Sequence, residues 1–142
     1  MINTGEHNNM EWKYVKDLQF DDLINEFEKE SGFKFDDLYK EYVIKYNGGR
    51  PSLKVFDTDK TEERSIKSFL SFNKTDIETI WSTYEWKKDE FGDLYIAFAS
   101  DNFGNLICFD KNGKIVFWNH ENATFEFIAN GFMGFINNLR EK

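Results

Sequence analysis

Three runs in the second half of the chain, residues 94–99, 106–109 and 115–118, are short, rich in β-branched and aromatic residues, and separated by only five or six residues each. Connections that short permit only antiparallel pairing, because a parallel crossover takes a dozen or more residues. The first connection reads Asp101-Asn102-Phe103-Gly104-Asn105 and the second Asp110-Lys111-Asn112-Gly113-Lys114. Asn-Gly tolerates the positive φ angles of a tight hairpin, so the second connection is the firmer turn. An antiparallel meander is thus the frame around which everything else must pack.

The remaining segments carry a helical period. Phe20, Leu23, Ile24 and Phe27 recur at i, i+3, i+4 and i+7, with Asp21 or Asp22 as the cap and Gly32 as the stop. A second helix is expected to open at Asp36, to carry Tyr39, Tyr42, Val43 and Tyr46 on one stripe, and to end at Asn47-Gly48-Gly49 before Pro51. Residues 52–57 and 65–72 read as extended, joined by a polar loop over 57–64. Thr75-Asp76-Ile77-Glu78 fits a capping box, starting a helix with Ile77, Ile80, Trp81 and Tyr84 on its apolar stripe. A closing helix is expected to bury Ile128, Phe132, Phe135, Ile136 and Leu139. The expected fold is α+β: an antiparallel β-meander sheet packed by N-terminal helices and a C-terminal helix. It forms one domain over residues 12–142, preceded by a flexible tail over residues 1–11.

At 142 residues a single domain buries roughly two-thirds of its unfolded surface, and 16 Phe supply much of that area. One cysteine, Cys108, rules out an internal disulfide and a multi-thiolate metal site, and its apolar setting suits a small buried hydrophobe. The N-terminus lacks a signal-peptide pattern and no apolar run approaches the ~20 residues of a membrane span, so the cytoplasm is the expected location. The net charge of −8 makes phosphate backbones and anionic lipid poor partners and a basic protein a good one.

Reactive groups are sparse. The chain has no Gly-rich phosphate loop, no nucleophile elbow and no histidine pair at metal spacing, and no cofactor is implied. Asp101, Asp110, His120 and Glu121 fall at strand ends, where a metal or acid–base site would fit. The alternative reading is that the two aspartates open turns and that His120 and Glu121 brace the loop that follows. Phe98, Phe109, Phe117 and Trp118 read as the core face of the sheet rather than as a ligand pocket.

The charge is concentrated. Nine acids (Asp17, Asp21, Asp22, Glu26, Glu28, Glu30, Asp36, Asp37 and Glu41) face only Lys29, Lys34 and Lys40, leaving −6 on the first two helices. Such a pole attracts a cationic partner, although a merely solvated face accounts for it equally.

The order of these features resembles the SUKH superfamily, the Smi/Knr-like proteins. The resemblance rests on Asn47-Gly48-Gly49-Arg50-Pro51, on residues 96–105, on residues 115–121 and on residues 128–135, and it extends over about residues 12–139. In that family the Gly48, Gly49, Asp101, Gly104, Asn105, Trp118, His120 and Glu121 positions read as fold-makers. Where the family has Leu-Pro before its second helix, this chain has Phe35-Asp36, and an aspartate caps a helix as well as a proline starts one. The resemblance implies a non-enzymatic bacterial immunity protein that neutralises a cognate toxin, often a nuclease, by occluding its active site. Its alternative is the regulatory or scaffold role of the family's eukaryotic relatives. On the toxin reading, Glu26, Glu30, Asp36, Asp37 and Glu41 would meet a basic cleft, with Tyr39, Tyr42 or Trp86, where exposed, as aromatic anchors.

Overall fold

The computed structural model describes residues 10–142, so residues 1–9 of the tail expected over 1–11 lie outside the described residues. Within that span Met10 packs against the core and the Glu11 amide donates to Ser52 Oγ at 2.9 Å. The elements run β1 (Trp12–Lys13), α1 (Leu23–Ser31), α2 (Asp37–Tyr46), β2 (Arg50–Pro51), β3 (Val55–Phe56), β4 (Arg64–Ser65) and β5 (Ser68–Phe69). They continue with α3 (Ile80–Phe91), β6 (Tyr95–Ser100), β7 (Leu106–Asp110), β8 (Ile115–Asn119), β9 (Thr124–Ala129) and α4 (Phe132–Asn137). Strands β5 to β9 form one antiparallel sheet in sequence order, while β1–β2 and β3–β4 are small separate ladders. The α+β architecture with a central meander is therefore present, extended by one strand at each edge.

Helices cover both faces of the sheet. Pairing places Ser100, Leu106, Trp118 and Phe125 in one row across β6, β7, β8 and β9. On that face α3 lays Phe91 against Trp118, Tyr95 and Phe125, and Trp86 against Trp118. The other face carries Phe98 and Phe109, which meet Tyr39 of α2 and Phe132 of α4. A bulge between Ala97 and Ala99 turns Phe98 onto this second face. Tyr39 sits at its centre, 0% exposed, with its ring against Phe35, Phe69, Phe72, Phe98, Phe109 and Phe132.

Three sequence expectations shift. Helix α1 begins at Leu23, so Phe20 lies before it and is exposed. Asp22 holds the cap position without a side-chain bond, whereas Gly32 ends the helix at φ 76°, a conformation that costs a residue without Cβ little. Helix α3 begins at Ile80, capped by Thr79 Oγ1 accepting from the Ser82 amide, and Ile77 is 97% exposed. The expected capping box fails because residues 71–80 bond elsewhere: the Ser71 amide donates to Glu78 O, the Ile80 amide donates to Ser71 O, and Ser71 Oγ donates to Asp76 Oδ2. Finally, Ile128 belongs to β9 and not to the closing helix, which starts at Phe132. Thr124-Phe125-Glu126-Phe127 alternates at period two, and pairing with β8 captures it.

The edge strand β9 is closed by the 57–64 loop. The Asp59 amide donates to Phe127 O and the Phe127 amide to Asp59 Oδ1. Glu126 points into the core face, where Arg64 Nη2 donates to it at 2.9 Å and Thr58 Oγ1 at 2.6 Å, while the guanidinium lies 4.4 Å from the Phe117 ring centroid. Burial pushes the Glu126 carboxyl up, but the hydrogen bonds from Arg64, Thr58 and Thr61 outweigh it and hold the group below its ordinary value. A carboxylate depressed in the folded state contributes stability above its unfolded value of about 4.3 and loses it as pH falls through the folded value.

Two stability measurements follow from this packing. The Tyr39 hydroxyl is buried with no hydrogen-bond partner, so Tyr39→Phe is expected to keep or raise stability by about 1 kcal/mol in urea unfolding. Tyr39→Ala should lose about 3–5 kcal/mol. Glu126→Gln should flatten the fall of stability between about pH 5 and pH 3 relative to the unmodified chain, and equal slopes would contradict the clasp.

Candidate functional site

The loop residues read from sequence form one connected network. Asp101 Oδ1 accepts from the amides of Phe103 and Asn105 at 2.9 and 2.8 Å, and its Oδ2 accepts from Asn105 Nδ2 at 2.8 Å. Asn105 Oδ1 in turn accepts from the His120 amide at 2.9 Å and lies 2.7 Å from His120 Nδ1, which places the ring proton on Nδ1. Gly104 takes φ +89° beneath the His120 ring, where a side chain would be strained. Asp110 opens its own turn by accepting from the Asn112 and Lys114 amides. Glu121 is exposed, and its amide donates to Asn119 Oδ1. Among the described residues, no group of three or more His, Cys, Asp or Glu is gathered for a metal ion. Asp101 and Asp110 thus act as turn formers, and His120 braces the loop through Asn105. Cys108 is fully buried, and burial drives its thiol far above the range in which a thiolate forms.

The Asn47-Gly48-Gly49 stretch does more than stop α2. A Cβ on Gly49 would lie 2.8 Å from Tyr46 O and against Trp12 and Val15, and one on Gly48 would lie 3.1 Å from Lys16 Cγ. The N-terminal segment therefore packs directly onto the glycines. Buried amides finish the attachment: Asn47 Nδ2 donates to Lys16 O at 2.7 Å, and Asn73 Nδ2 donates to Asp17 O at 2.8 Å. Sequence reasoning saw Asn47 only as a helix stop and missed Asn73. An asparagine in a polar loop gives no sign that its partners lie more than fifty residues away.

The acidic helices are sorted by the structure into internal and external carboxylates. Glu28 is buried, accepts from the Phe35 amide at 2.8 Å and pairs with Lys40 at 3.4 Å, which locks α1 to α2. Asp36 accepts from the Leu38 and Tyr39 amides as the cap of α2. Glu26 is half-exposed and paired with Lys74 at 2.6 Å, reducing the local excess by one. Glu30, Asp37 and Glu41 are exposed, Asp37 at 96% of its side chain with Lys40 3.9 Å away. Of the expected aromatic anchors, Tyr39 and Tyr42 are corrected, since both are consumed by the core that their helical stripe faces. Trp86 is 59% exposed, edge-on to buried Trp118, with Lys87 Nζ 4.1 and 4.0 Å from the two ring centroids. Ile77, Phe103 and Tyr14 also stand exposed, and the sequence reading placed none of them at the surface.

The exposed chemistry of this α+β domain is charge and aromatic surface, and its loop carboxylates Asp101 and Asp110 are spent on turns. A family model described as SMI1-KNR4 cell-wall (SUKH_6) matches residues 21–136, most of the chain, and the chain belongs to the SUKH superfamily. That family consists generally of non-catalytic immunity and regulatory proteins. No curated protein matches the chain. Among the described residues no helix is long and apolar enough to cross a membrane.

The network makes a direct prediction. Asn105→Ala strips buried Asp101 of a donor and His120 of its acceptor at the foot of an exposed loop, and should cost about 2 kcal/mol in urea unfolding. A loss near zero would mean that the loop is held by its backbone alone.

Proposed function

We propose that this chain is an immunity protein of a bacterial toxin system. It binds a cognate toxin, a nuclease-like protein with a basic substrate cleft, and neutralises it in the cytoplasm of the producing cell by covering that cleft. The observation that carries this reading is the pair α1–α2, joined through Glu28 and Lys40 and seated on one core, with Glu30, Asp37 and Glu41 turned outward. Carboxylates on folded helices present negative charge where a nuclease expects phosphates, at less ordering cost than on a disordered segment. Family membership supports the same conclusion, because immunity function is common among SUKH proteins. Glu26 contributes less, since Lys74 already neutralises it, and Asp36 contributes as a helix cap rather than as a contact.

The test is association with the toxin encoded beside this gene. The triple variant Glu30→Lys, Asp37→Lys, Glu41→Lys should bind on the order of tenfold to a hundredfold more slowly at low salt and should protect cells less. Wild-type association and survival from that variant would remove the acidic face from the mechanism. Tight binding that leaves toxin activity intact would instead make the chain a recruiting module.

A further inference from the structure

Two clefts adjoin where residues 14–16, the 73–79 turn, the start of α3 and the β6–β7 loop come together. The first, about 460 Å³, is lined by Tyr14, Lys16, Arg50, Phe69 and Ile77. The second, about 370 Å³, is lined by Leu70, Ile77, Trp86, Ser100, Asn102 and Leu106. Lys67, Ile77 and Glu78 line both, so the clefts share a wall. Large apolar side chains are left in water around them: Ile77, Trp86 and Tyr14 are each more than half exposed.

Cations outnumber acids only in the first cleft, where Lys16, Arg50 and Lys67 stand beside Asp76 and Glu78. Arg64 and Arg140 each hold a carboxylate, whereas Arg50 holds none among the described residues and lies over the Tyr14 ring at 5.0 Å. Lys16 likewise has no acidic partner among the described residues; its Nζ donates to Tyr14 O at 3.3 Å, and its stem is seated on Gly48. The two acids lining the first cleft are already engaged, Glu78 with Lys67 at 2.8 Å and Asp76 with the Ser71 hydroxyl. A guanidinium held on an aromatic face, beside a second cation and with no carboxylate of its own, is preorganised for a bidentate acid.

We propose that this double cleft is a docking site for a short segment of a partner protein, which sets a carboxylate side chain against Arg50 and Lys16 and an apolar side chain against Ile77 and Trp86. Charge complementarity selects the acid, and burial of the exposed apolar rim supplies the anchor. The site goes beyond the proposed toxin contact, because its occupant is acidic where the toxin cleft is basic, and its test uses no toxin.

The probe is an acetylated, amidated peptide of sequence glycine-aspartate-leucine-leucine-glycine, titrated into the full chain and followed by backbone amide NMR shifts. Saturable shifts confined to residues lining the two clefts are expected, together with a change in tryptophan fluorescence that Trp86→Phe removes. Replacing the peptide's aspartate by asparagine, or Arg50→Gln in the protein, should weaken binding by about tenfold, as should Ile77→Ser. Glu30→Lys should leave it unchanged. The asparagine peptide on the unmodified chain decides the matter even if Arg50→Gln disturbs β2. Equal binding of the two peptides, shifts mapping outside the clefts, or no saturable shifts at all would overturn the proposal.

Discussion

Phe98 is the residue on which both halves of the molecule meet. The bulge between Ala97 and Ala99 adds this ring to the face of β6 already used by Ala99, so one strand presents more apolar surface than its length alone would allow. Tyr39, Phe109 and Phe132 close around it, drawing α2, β7 and α4 onto the same point. Ring pairs at edge-to-face angles fill such a space without methylene-sized gaps, which explains how a chain of this size reaches a stable core with so many Phe. Because that face is closed by α2 and α4, the opposite face must find its own cover. It does so with α3, whose Phe91 and Trp86 meet Trp118.

That arrangement determines which charges remain available. Helices α1 and α2 turn their aromatic stripes inward, so their acids divide by geometry: Glu28 goes to the helix junction, Asp36 to a cap, and Glu30, Asp37 and Glu41 to water. A buried carboxylate is tolerated at the junction because a backbone amide and Lys40 both answer it. The negative pole expected from composition is thus real but smaller than its tally of acids. Across the 73–79 turn, where Lys74 reaches back to Glu26, Lys16 and Arg50 stand without an acidic partner among the described residues, while Lys67 is paired with Glu78. The molecule thus offers a partner an acidic helical surface and, separately, two unpaired cations beside exposed apolar side chains.

The local signals in the sequence were reliable wherever the interaction they announce is itself local. Asp36 caps α2, Gly32 ends α1, Asp110 shapes its Asn-Gly hairpin and Asp101 folds the loop around Gly104. Each of these bonds spans a few residues and competes with nothing distant. The departures arise where another partner competes for the same groups. Thr75 to Glu78 has a capping-box pattern, yet Ser71 takes up its backbone and Asp76; Ile128 fits the stripe of the closing helix, yet β8 offers its strand a ladder; Tyr39 and Tyr42 are aromatic anchors by residue type, yet the core absorbs them.

The sequence by itself determined the antiparallel meander, the two N-terminal helices and the acidic bias of those helices, because these rest on composition, spacing and short-range turn chemistry; membership of the SUKH superfamily was legible as a resemblance of motifs. Only the tertiary structure decided which acids face water, where Ile77 and Trp86 surface, and how Asn47 and Asn73 fasten residues 16–19 to the domain. Those outcomes depend on contacts between residues far apart in the chain, whose free energy is set only when the sheet has chosen its faces.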